Sequence, residues 1–240
     1  MNRYIMYLKK LTRKFGIEIR LYNMYSSEFL HLEKLLSYNR IGTIIDVGAN
    51  IGQYAMNIRG AGYKGRIISF EPLSAAYKQL IKNSRKDAEW IVADRMALGD
   101  EDGEIEINVS ANSISSSVLP IMESHIRAAK ESVYISKELV TIKRLDSVST
   151  GLDLKDNIFI KIDVQGFELD VLKGASKLLE KTKGLQLELS LTELYEGQIL
   201  MEDMIKHVES LGFELHTIFP AFIDESSGRL LQTDGVFFKE

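Results

Sequence analysis

The sequence predicts an α/β fold in which a mostly parallel sheet carries helices on both faces. Short β-branched runs such as TIIDV (43–47) and RIISF (66–70) have the composition of buried parallel strands. Stretches with helical spacing of apolar residues separate these runs, and such alternation is typical of doubly wound sheets. The chain has 240 residues, of which 45% are hydrophobic and 27% charged, so it is long and apolar enough for a globular domain.

Seven runs along the chain have the pattern of strands. A helix follows the first run and ends near Gly60–Gly62, and Pro72 opens the helix after the second run. Two further helices follow the fourth and fifth runs, and Gly212 ends the last of them. The predicted strands are TIIDV (43–47), RIISF (66–70), EWIVA (89–93), IFIKIDV (158–164), LQLELSL (185–191), FELHTIF (213–219) and GVFFK (235–239).

Residues 104–144 interrupt the alternation of strands and helices. Alternating apolar residues at both ends of this stretch predict two edge strands, and the serine-rich segment NSISSSV (112–118) lies between them. A short helix that contains His125 is expected next. We interpret residues 104–144 as an insertion that contacts the substrate.

The first 20 residues are basic, with six Lys or Arg residues and the single acid Glu18. Tyr4, Leu8, Leu11 and Phe15 recur at helical spacing. One interpretation, which we favour, is a helix packed on the domain, and the other is an interfacial helix that meets anionic lipid or a glycolipid. We predict a helical extension over residues 1–40 and one domain over residues 41–240.

Composition excludes several classes of function. The absence of cysteine excludes disulfide scaffolds, zinc–thiolate sites and thiol nucleophiles. The net charge of −4 disfavours a protein whose main role is binding nucleic acid, because such binding depends on basic surfaces. No apolar run is long enough to span a bilayer, and the N-terminus does not resemble a secretory signal. We therefore expect a cytoplasmic protein, with residues 1–20 as an option for contact with the inner membrane surface.

The segment DVGANIG (46–52) directly follows the first strand and contains Asp46, Gly48, Asn50 and Gly52. Glycines at such a turn allow a ligand to approach the backbone. The spacing differs from the GxGxxG fingerprint of dinucleotide-binding proteins, because the third glycine is absent. A nicotinamide-dependent oxidoreductase on a similar sheet is therefore an alternative with less support. The segment could also be a generic strand–turn–helix junction that binds no ligand.

Acidic residues end two further strands. Glu71 in the segment FEP (70–72) lies where a carboxylate accepts hydrogen bonds from both ribose hydroxyls of a nucleoside, although it could also simply stabilise a helix N-terminus. In KIDVQGFE (161–168), Asp163 lies at the tip of a buried strand and faces the same crevice as Gly48. Lys161 is costly to bury without a partner, and an ion pair with Glu188 is the expected structural role.

Together these segments resemble the FkbM family of S-adenosylmethionine-dependent methyltransferases. The resemblance spans roughly residues 40–240. It rests on DVGANIG, FEP, ALGDEDG (97–103), SSS (115–117), RLDS (144–147), KIDVQGFELDVLKGA (161–175) and YEGQ (195–198), in this order.

The resemblance implies a class I methyltransferase fold, which is Rossmann-like with a seven-stranded sheet whose last strand is antiparallel. It implies S-adenosylmethionine as the cofactor and a hydroxyl, often of a sugar in a glycan, glycolipid or secondary metabolite, as the methyl acceptor. Its motifs assign cofactor binding to residues of this chain that we list together: Asp46, Gly48, Asn50, Gly52, Glu71, Met96, Ala97 and Asp163.

Removal of the hydroxyl proton requires a base, for which Asp163 is the first candidate and His125 the second. Glu168 and Glu188 are further candidates. A divalent metal between Asp163 and Glu188 is an option that the spacing does not demand. A catalytically silent scaffold in a glycan-assembly complex is the remaining alternative, although it would have no need for Asp46, Glu71 and Asp163 around one cleft.

Overall fold

A computed structural model describes residues 3–155 and 157–240, and the side chains of residues 3 and 4 are outside this description. Met1 and Asn2, part of the predicted N-terminal extension, therefore lie outside the described residues, as does the side chain of Tyr4. The helices are α1 (Arg3–Arg13), α2 (Glu28–Tyr38), α3 (Gln53–Ala61), α4 (Ser74–Ser84), α5 (Glu123–Ala128), α6 (Leu145–Ser149), α7 (Glu168–Gly174), α8 (Ser176–Lys181) and α9 (Met201–Ser210).

Seven strands form the central sheet in the order β3-β2-β1-β7-β8-β10-β9. Strand β10 is antiparallel to both of its neighbours, and the other pairs of this sheet are parallel. The predicted seven-stranded, mostly parallel sheet with an antiparallel last strand is thus confirmed. The strands are β1 (Thr43–Val47), β2 (Arg66–Phe70), β3 (Trp90–Val92), β7 (Ile158–Ile162), β8 (Thr182–Ser190), β9 (Glu214–Asp224) and β10 (Arg229–Phe238).

The last two strands extend well beyond their predicted bounds. The apolar patterns 213–219 and 235–239 cover only part of β9 and β10, which pair as a long antiparallel hairpin. Backbone pairing continues through polar positions such as Gln232 and Asp234, where composition alone does not predict a strand.

Helices cover both faces of the sheet, and alternate strand residues face opposite sides. Ile44 of β1 packs in the cluster that contains Leu32 and Leu36 of α2 together with Ile58 of α3. Ile45 packs in the opposite cluster, which includes residues of α7, α8 and α9. Because α2 is part of the packed core, it fixes one wall above the carboxyl ends of the strands.

The two strands of the insertion, β5 (Gly103–Ser110) and β6 (Tyr134–Lys143), form a second sheet with the short strand β4 (Ala97–Leu98) that precedes them, in the order β4-β6-β5. Both predicted strands exist, and β5 is an edge strand, but β6 is the middle strand of this small sheet. They pair with each other in antiparallel fashion and with β4, so neither joins the central sheet. The serine-rich segment between them reaches the cavity described below.

Helix α1 does not pack on the domain as we favoured from the sequence. Leu8 and Leu11 of α1 are 48% and 43% exposed, and Phe15, just after the helix, is 75% exposed. The helical spacing of apolar residues is real, but no other element covers this face in the described part of the chain. None of the described helices has the length and apolar character that crossing a bilayer requires.

Candidate active site

A cavity of about 420 Å³ opens at the carboxyl ends of β1, β2 and β7. This is where parallel α/β sheets bind their ligands, and the volume suits a small molecule. Its wall includes residues from the loop after β1, the end of β2, the insertion and the end of β7. The sequence motifs therefore meet at one place, as their positions at strand ends predict.

Gly48 allows the loop after β1 to lie directly against the end of β7. Its φ is +75°, and a Cβ atom at this position would lie 1.9 Å from the carbonyl oxygen of Asp163. The Asp163 amide in turn donates to the carbonyl oxygen of Val47 at 3.2 Å. The contact demands glycine for packing between two segments of the chain as well as for ligand approach.

Glu71 is 4% exposed and is held by two backbone amides. Asn50 N donates to its Oε2 and Leu73 N to its Oε1, each at 2.8 Å. Burial raises the pKa of Glu71 to about 7 against the opposing effect of these amides. Each oxygen keeps a lone pair for a hydroxyl donor, which suits a vicinal diol.

Beside Glu71 the cavity wall becomes apolar. Leu73, Met96, Ala97, Ile107 and Phe167 line this part. Flat apolar faces next to a carboxylate that can hold a diol fit the base and ribose of a nucleoside. Met96 and Ala97, which the sequence motifs assign to cofactor binding, thus both line the cavity.

Lys161 lies among carboxylates in the middle of the sheet. Its Nζ is 3.4 Å from Asp46 Oδ1, 3.4 Å from Asp163 Oδ2 and 5.6 Å from the ring centroid of Tyr54. Burial tends to lower the pKa of Lys161, but the carboxylates of Asp163 and Asp46 outweigh it and leave the pKa above its ordinary value. The cation is therefore fully committed to partners within the protein.

The predicted ion pair between Lys161 and Glu188 is wrong. Lys161 is opposite Gln186 in the parallel pair of β7 and β8, which places Glu188 two residues further along. Glu188 instead accepts hydrogen bonds from Gln165 Nε2 at 3.0 Å and Gln232 Nε2 at 2.7 Å. Burial raises the pKa of Glu188 well above its ordinary value, as do the nearby carboxylates.

A chain of hydrogen bonds sets the position of the Asp163 carboxylate. Gln165 Nε2 donates to Asp163 Oδ1 at 2.8 Å, and Gln165 Oε1 accepts from the Tyr195 hydroxyl at 2.6 Å. The Tyr195 hydroxyl thereby fixes which end of the amide faces Asp163. Ser117 of the insertion also donates to the Gln165 carbonyl oxygen at 2.6 Å. The insertion and YEGQ segments therefore act on the site through Gln165.

The other candidate bases lie behind the cavity wall. Glu168 is 3% exposed, and its carboxylate accepts from the amides of Val164 and Gly166. His125 is also 3% exposed and packs between Tyr195 and Phe222, with ring centroids 5.1 Å apart in both contacts. Burial lowers its pKa to about 4. The position of His125 does not support a role at the reacting atoms, whereas Asp163 lines the cavity.

Asp46 and Gly52, which the motifs assign to cofactor binding, lie behind the residues that line the cavity. Asp46 is fully buried, and its Oδ2 accepts a hydrogen bond from Ser69 Oγ at 3.2 Å. Burial raises the pKa of Asp46, although Lys161 opposes this. A Cβ atom on Gly52 would lie 2.5 Å from the Trp90 ring, so this glycine serves close packing of α3.

Sequence analysis missed Tyr54, Gln186 and Asp234, which also line the cavity. Gln186 alternates with apolar residues in β8, and this pattern could have indicated that one face of the strand lines a polar cavity. Asp234 faces the cavity because β10 inserts between β8 and β9, a topology that the local sequence does not reveal. Among the described residues, no group of three or more His, Asp or Glu side chains is placed to hold a metal ion.

Comparisons with known proteins agree with this geometry. The Methyltransferase FkbM domain family matches residues 46–215. The chain is 28% identical over 193 residues to the 2-O-methyltransferase NoeI of Sinorhizobium fredii, covering 75% of this chain and 76% of that protein. It is 29% identical over 144 residues to the hexuronic acid methyltransferase AglP of Haloferax volcanii, covering 60% and 54% of the two chains.

Among solved structures, a chain of a fibrillarin/NOP5P complex matches with a TM-score of 0.51 and 11% sequence identity. The match covers 90% of this chain and 83% of that chain, and it shows similarity of fold.

The sheet order is that of a Rossmann-like class I methyltransferase fold, and the cavity lies at the carboxyl ends of its parallel strands. The family match covers more than half of the chain, so the chain belongs to the FkbM methyltransferase family. It is an S-adenosylmethionine-dependent methyltransferase, which removes the support for a nicotinamide-dependent oxidoreductase. The donor set fits this cofactor, because Glu71 can accept the ribose hydroxyls and Met96 and Ala97 provide an apolar wall.

Proposed function

We propose that the protein transfers the methyl group of S-adenosylmethionine to a hydroxyl of a sugar in a glycan, glycolipid or secondary metabolite. Two relatives that are named as a 2-O-methyltransferase and a hexuronic acid methyltransferase support an oxygen acceptor on a carbohydrate. The observation that carries the proposal is the Asp163 carboxylate on the cavity wall, held in place from both sides.

In this proposal Asp163 is the general base. Its Oδ1 is occupied by Gln165 and its Oδ2 lies beside Lys161, so the carboxylate cannot rotate freely. Asp163 accepts a hydrogen bond from the acceptor hydroxyl and takes its proton while the new carbon–oxygen bond forms. A base in this position contributes roughly 10²–10⁴-fold to the rate, and orientation of the acceptor contributes further.

The cofactor would be held by Gly48, Asn50, Glu71, Met96 and Ala97, with Asp163 at its reactive end. Bound there, it supplies an activated methyl group on a sulfonium sulfur. The buried Asp46 and Gly52 support this wall from behind rather than touching the ligand. The apolar residues beside Glu71 exclude water from the adenine and ribose of the cofactor.

The first experiment measures cofactor binding and turnover together. S-adenosylhomocysteine should raise the melting temperature, and labelled methyl groups should pass from S-adenosylmethionine to fractionated glycans and lipids. Asp163→Asn should remove most of this turnover while S-adenosylhomocysteine still binds. Asp203→Asn on the exposed side of α9 is the matched control. Absence of binding contradicts the proposal, and near-normal turnover of Asp163→Asn eliminates Asp163 as the base.

We also propose that α1 contacts an anionic membrane surface. Leu8, Leu11 and Phe15 are exposed next to Lys10 and Lys14, and this combination suits an interfacial helix. Vesicles that contain phosphatidylglycerol should sediment the protein, and pure phosphatidylcholine vesicles should not. Leu11→Asp should abolish sedimentation, whereas the same change at exposed Leu139 should leave it intact. Equal sedimentation of the Leu11→Asp variant would contradict the proposal.

A further inference from the structure

The cavity continues past Asp163, away from Glu71, across the far half of the sheet. Five residues that we call the polar arm line this part: Glu28, Tyr54, Gln186, Phe219 and Asp234. Asp234 and Phe219 are opposite each other in the pair of β10 and β9, and Gln186 belongs to the neighbouring β8. Because Glu71 follows β2 and β10 is four places away in the sheet, the polar arm is separate from the nucleoside end.

Two buried polar atoms of the polar arm have no partner within the described protein. The Tyr54 hydroxyl and Gln186 Oε1 make no hydrogen bond, although the two residues are only 8% and 6% exposed. An unsatisfied buried polar group is costly, and both residues line the cavity, so a ligand that draws these two side chains towards it would complete them. Gln186 Oε1 accepts only, and the ligand must therefore carry O–H or N–H donors.

The charged groups of the polar arm all have the same sign. Asp234 and Glu28 are carboxyl groups, and Asp163 adds a third at its inner end. Burial raises the pKa of Asp234 to about 7, and the Asp163 carboxylate adds to this effect. In the described part of the chain, Lys161 is the one basic residue of the cavity wall. Its Nζ already lies 3.4 Å from Asp46, Asp163 and the Gly48 carbonyl oxygen.

An anionic ligand in the polar arm would therefore meet carboxylates without an available cation. A neutral polyol would satisfy Tyr54 and Gln186, and an amino group would in addition pair with Asp234. The Phe219 ring, 9% exposed, offers an apolar surface for the ring face of the same ligand.

We propose that the polar arm binds the acceptor as a neutral or amino-substituted sugar ring and discriminates against uronic acids. This inference rests on the proposed function and specifies its acceptor class. It separates this chain from the relative whose name states hexuronic acid as the acceptor. Gln186 and Asp234 are the specificity-determining residues in this assignment, and Tyr54 supplies a further hydroxyl to the ring.

Three matched probes test the assignment: methyl β-D-glucopyranoside, the corresponding 2-amino-2-deoxy glycoside and methyl β-D-glucuronide. Their binding to the protein saturated with S-adenosylhomocysteine is measured by saturation-transfer NMR and calorimetry at about pH 8, where Asp234 with its pKa of about 7 is mostly ionised. The glucoside and the amino glycoside should bind, and the glucuronide should bind at least about tenfold more weakly.

Asp234→Asn retains the shape of the side chain and should reduce the preference for the amino glycoside over the glucuronide. An unchanged response to S-adenosylhomocysteine shows that this variant is folded. Asp203→Asn, which removes an exposed carboxylate on α9, should leave the preference intact.

Equal or tighter binding of the glucuronide overturns the inference, as does an unchanged preference in Asp234→Asn. Failure of all three glycosides to bind also overturns it, because the polar arm would not be a sugar site. In each of these cases, binding of S-adenosylhomocysteine would show that the proposed methyltransferase function is not contradicted. Failure of S-adenosylhomocysteine to bind instead contradicts the proposed function.

Discussion

Substitution of Gly48 by alanine should destabilise the protein far more than the same change at Gly228. The two glycines have nearly the same backbone conformation, with φ of +75° and +73°. A Cβ atom on Gly48 would lie 1.9 Å from the Asp163 carbonyl oxygen, whereas none of the described atoms lies within 4 Å of a Cβ on Gly228. The pair therefore separates the cost of the left-handed conformation from the cost of the collision.

The left-handed conformation costs alanine about 1–2 kcal/mol at either site. The collision at Gly48 involves backbone that is held in place at the end of β7, and overpacking of this kind costs about 1–3 kcal/mol more. For a chain of 240 residues, each kcal/mol lowers the melting temperature by about 2–4 °C. Gly48→Ala should thus melt about 2–12 °C below Gly228→Ala.

Thermal and urea unfolding of the two variants measure this difference, with the wild type as reference. Relief of the collision must move the Asp163 carbonyl, so Gly48→Ala should also lose turnover while Gly228→Ala keeps it. Equal destabilisation of the two variants would refute the close contact between the loop after β1 and the end of β7.

Three further outcomes follow from the contacts of the site. Affinity for S-adenosylhomocysteine should fall as the pH drops below about 7, because the Glu71 carboxyl must be ionised to accept both ribose hydroxyls. Calorimetry over a pH series checks this, and Glu71→Gln should bind weakly without the pH dependence. Tyr195→Phe should lower the free energy of unfolding by about 1–3 kcal/mol in urea, because it leaves Gln165 Oε1 buried without a hydrogen-bond donor. An unchanged urea midpoint would argue against this hydrogen bond. His125→Phe should keep its turnover and should resist acid better than the wild type. The pKa of His125 is lower in the folded protein than in the unfolded chain, so the unfolded chain binds the proton first. The wild type therefore loses stability as the pH falls from about 6.5 towards 4. A large loss of turnover would instead restore His125 as a base.

Gln165 links several of these outcomes. It has a φ of +57°, a conformation that non-glycine residues adopt at some cost. In this conformation its side-chain Nε2 donates to Asp163 and Glu188, while its side-chain Oε1 accepts a hydrogen bond from the Tyr195 hydroxyl. The free-energy cost of this backbone conformation is offset by the hydrogen bonds of Gln165, whose partners come from separate segments of the chain.

The fold class and the part of the cavity beside Glu71 could be predicted from the sequence. Buried strands and amphipathic helices are local patterns, and glycines and acids that directly follow a strand must lie at its carboxyl end. For this reason Gly48, Glu71 and Asp163 could be placed in one crevice without coordinates. The motifs of the FkbM family sharpened the same prediction and named the cofactor.

The partners of the buried charges and the composition of the polar arm depended on the tertiary structure. Register decides that Lys161 lies opposite Asp46 and Gln186 rather than beside Glu188. Insertion of β10 between β8 and β9 brings Asp234 into the cavity, and packing leaves α1 uncovered. These features are contacts between residues far apart in the chain. Local composition specifies the period and the ends of an element, but strand order and register are selected by the packing of the whole domain.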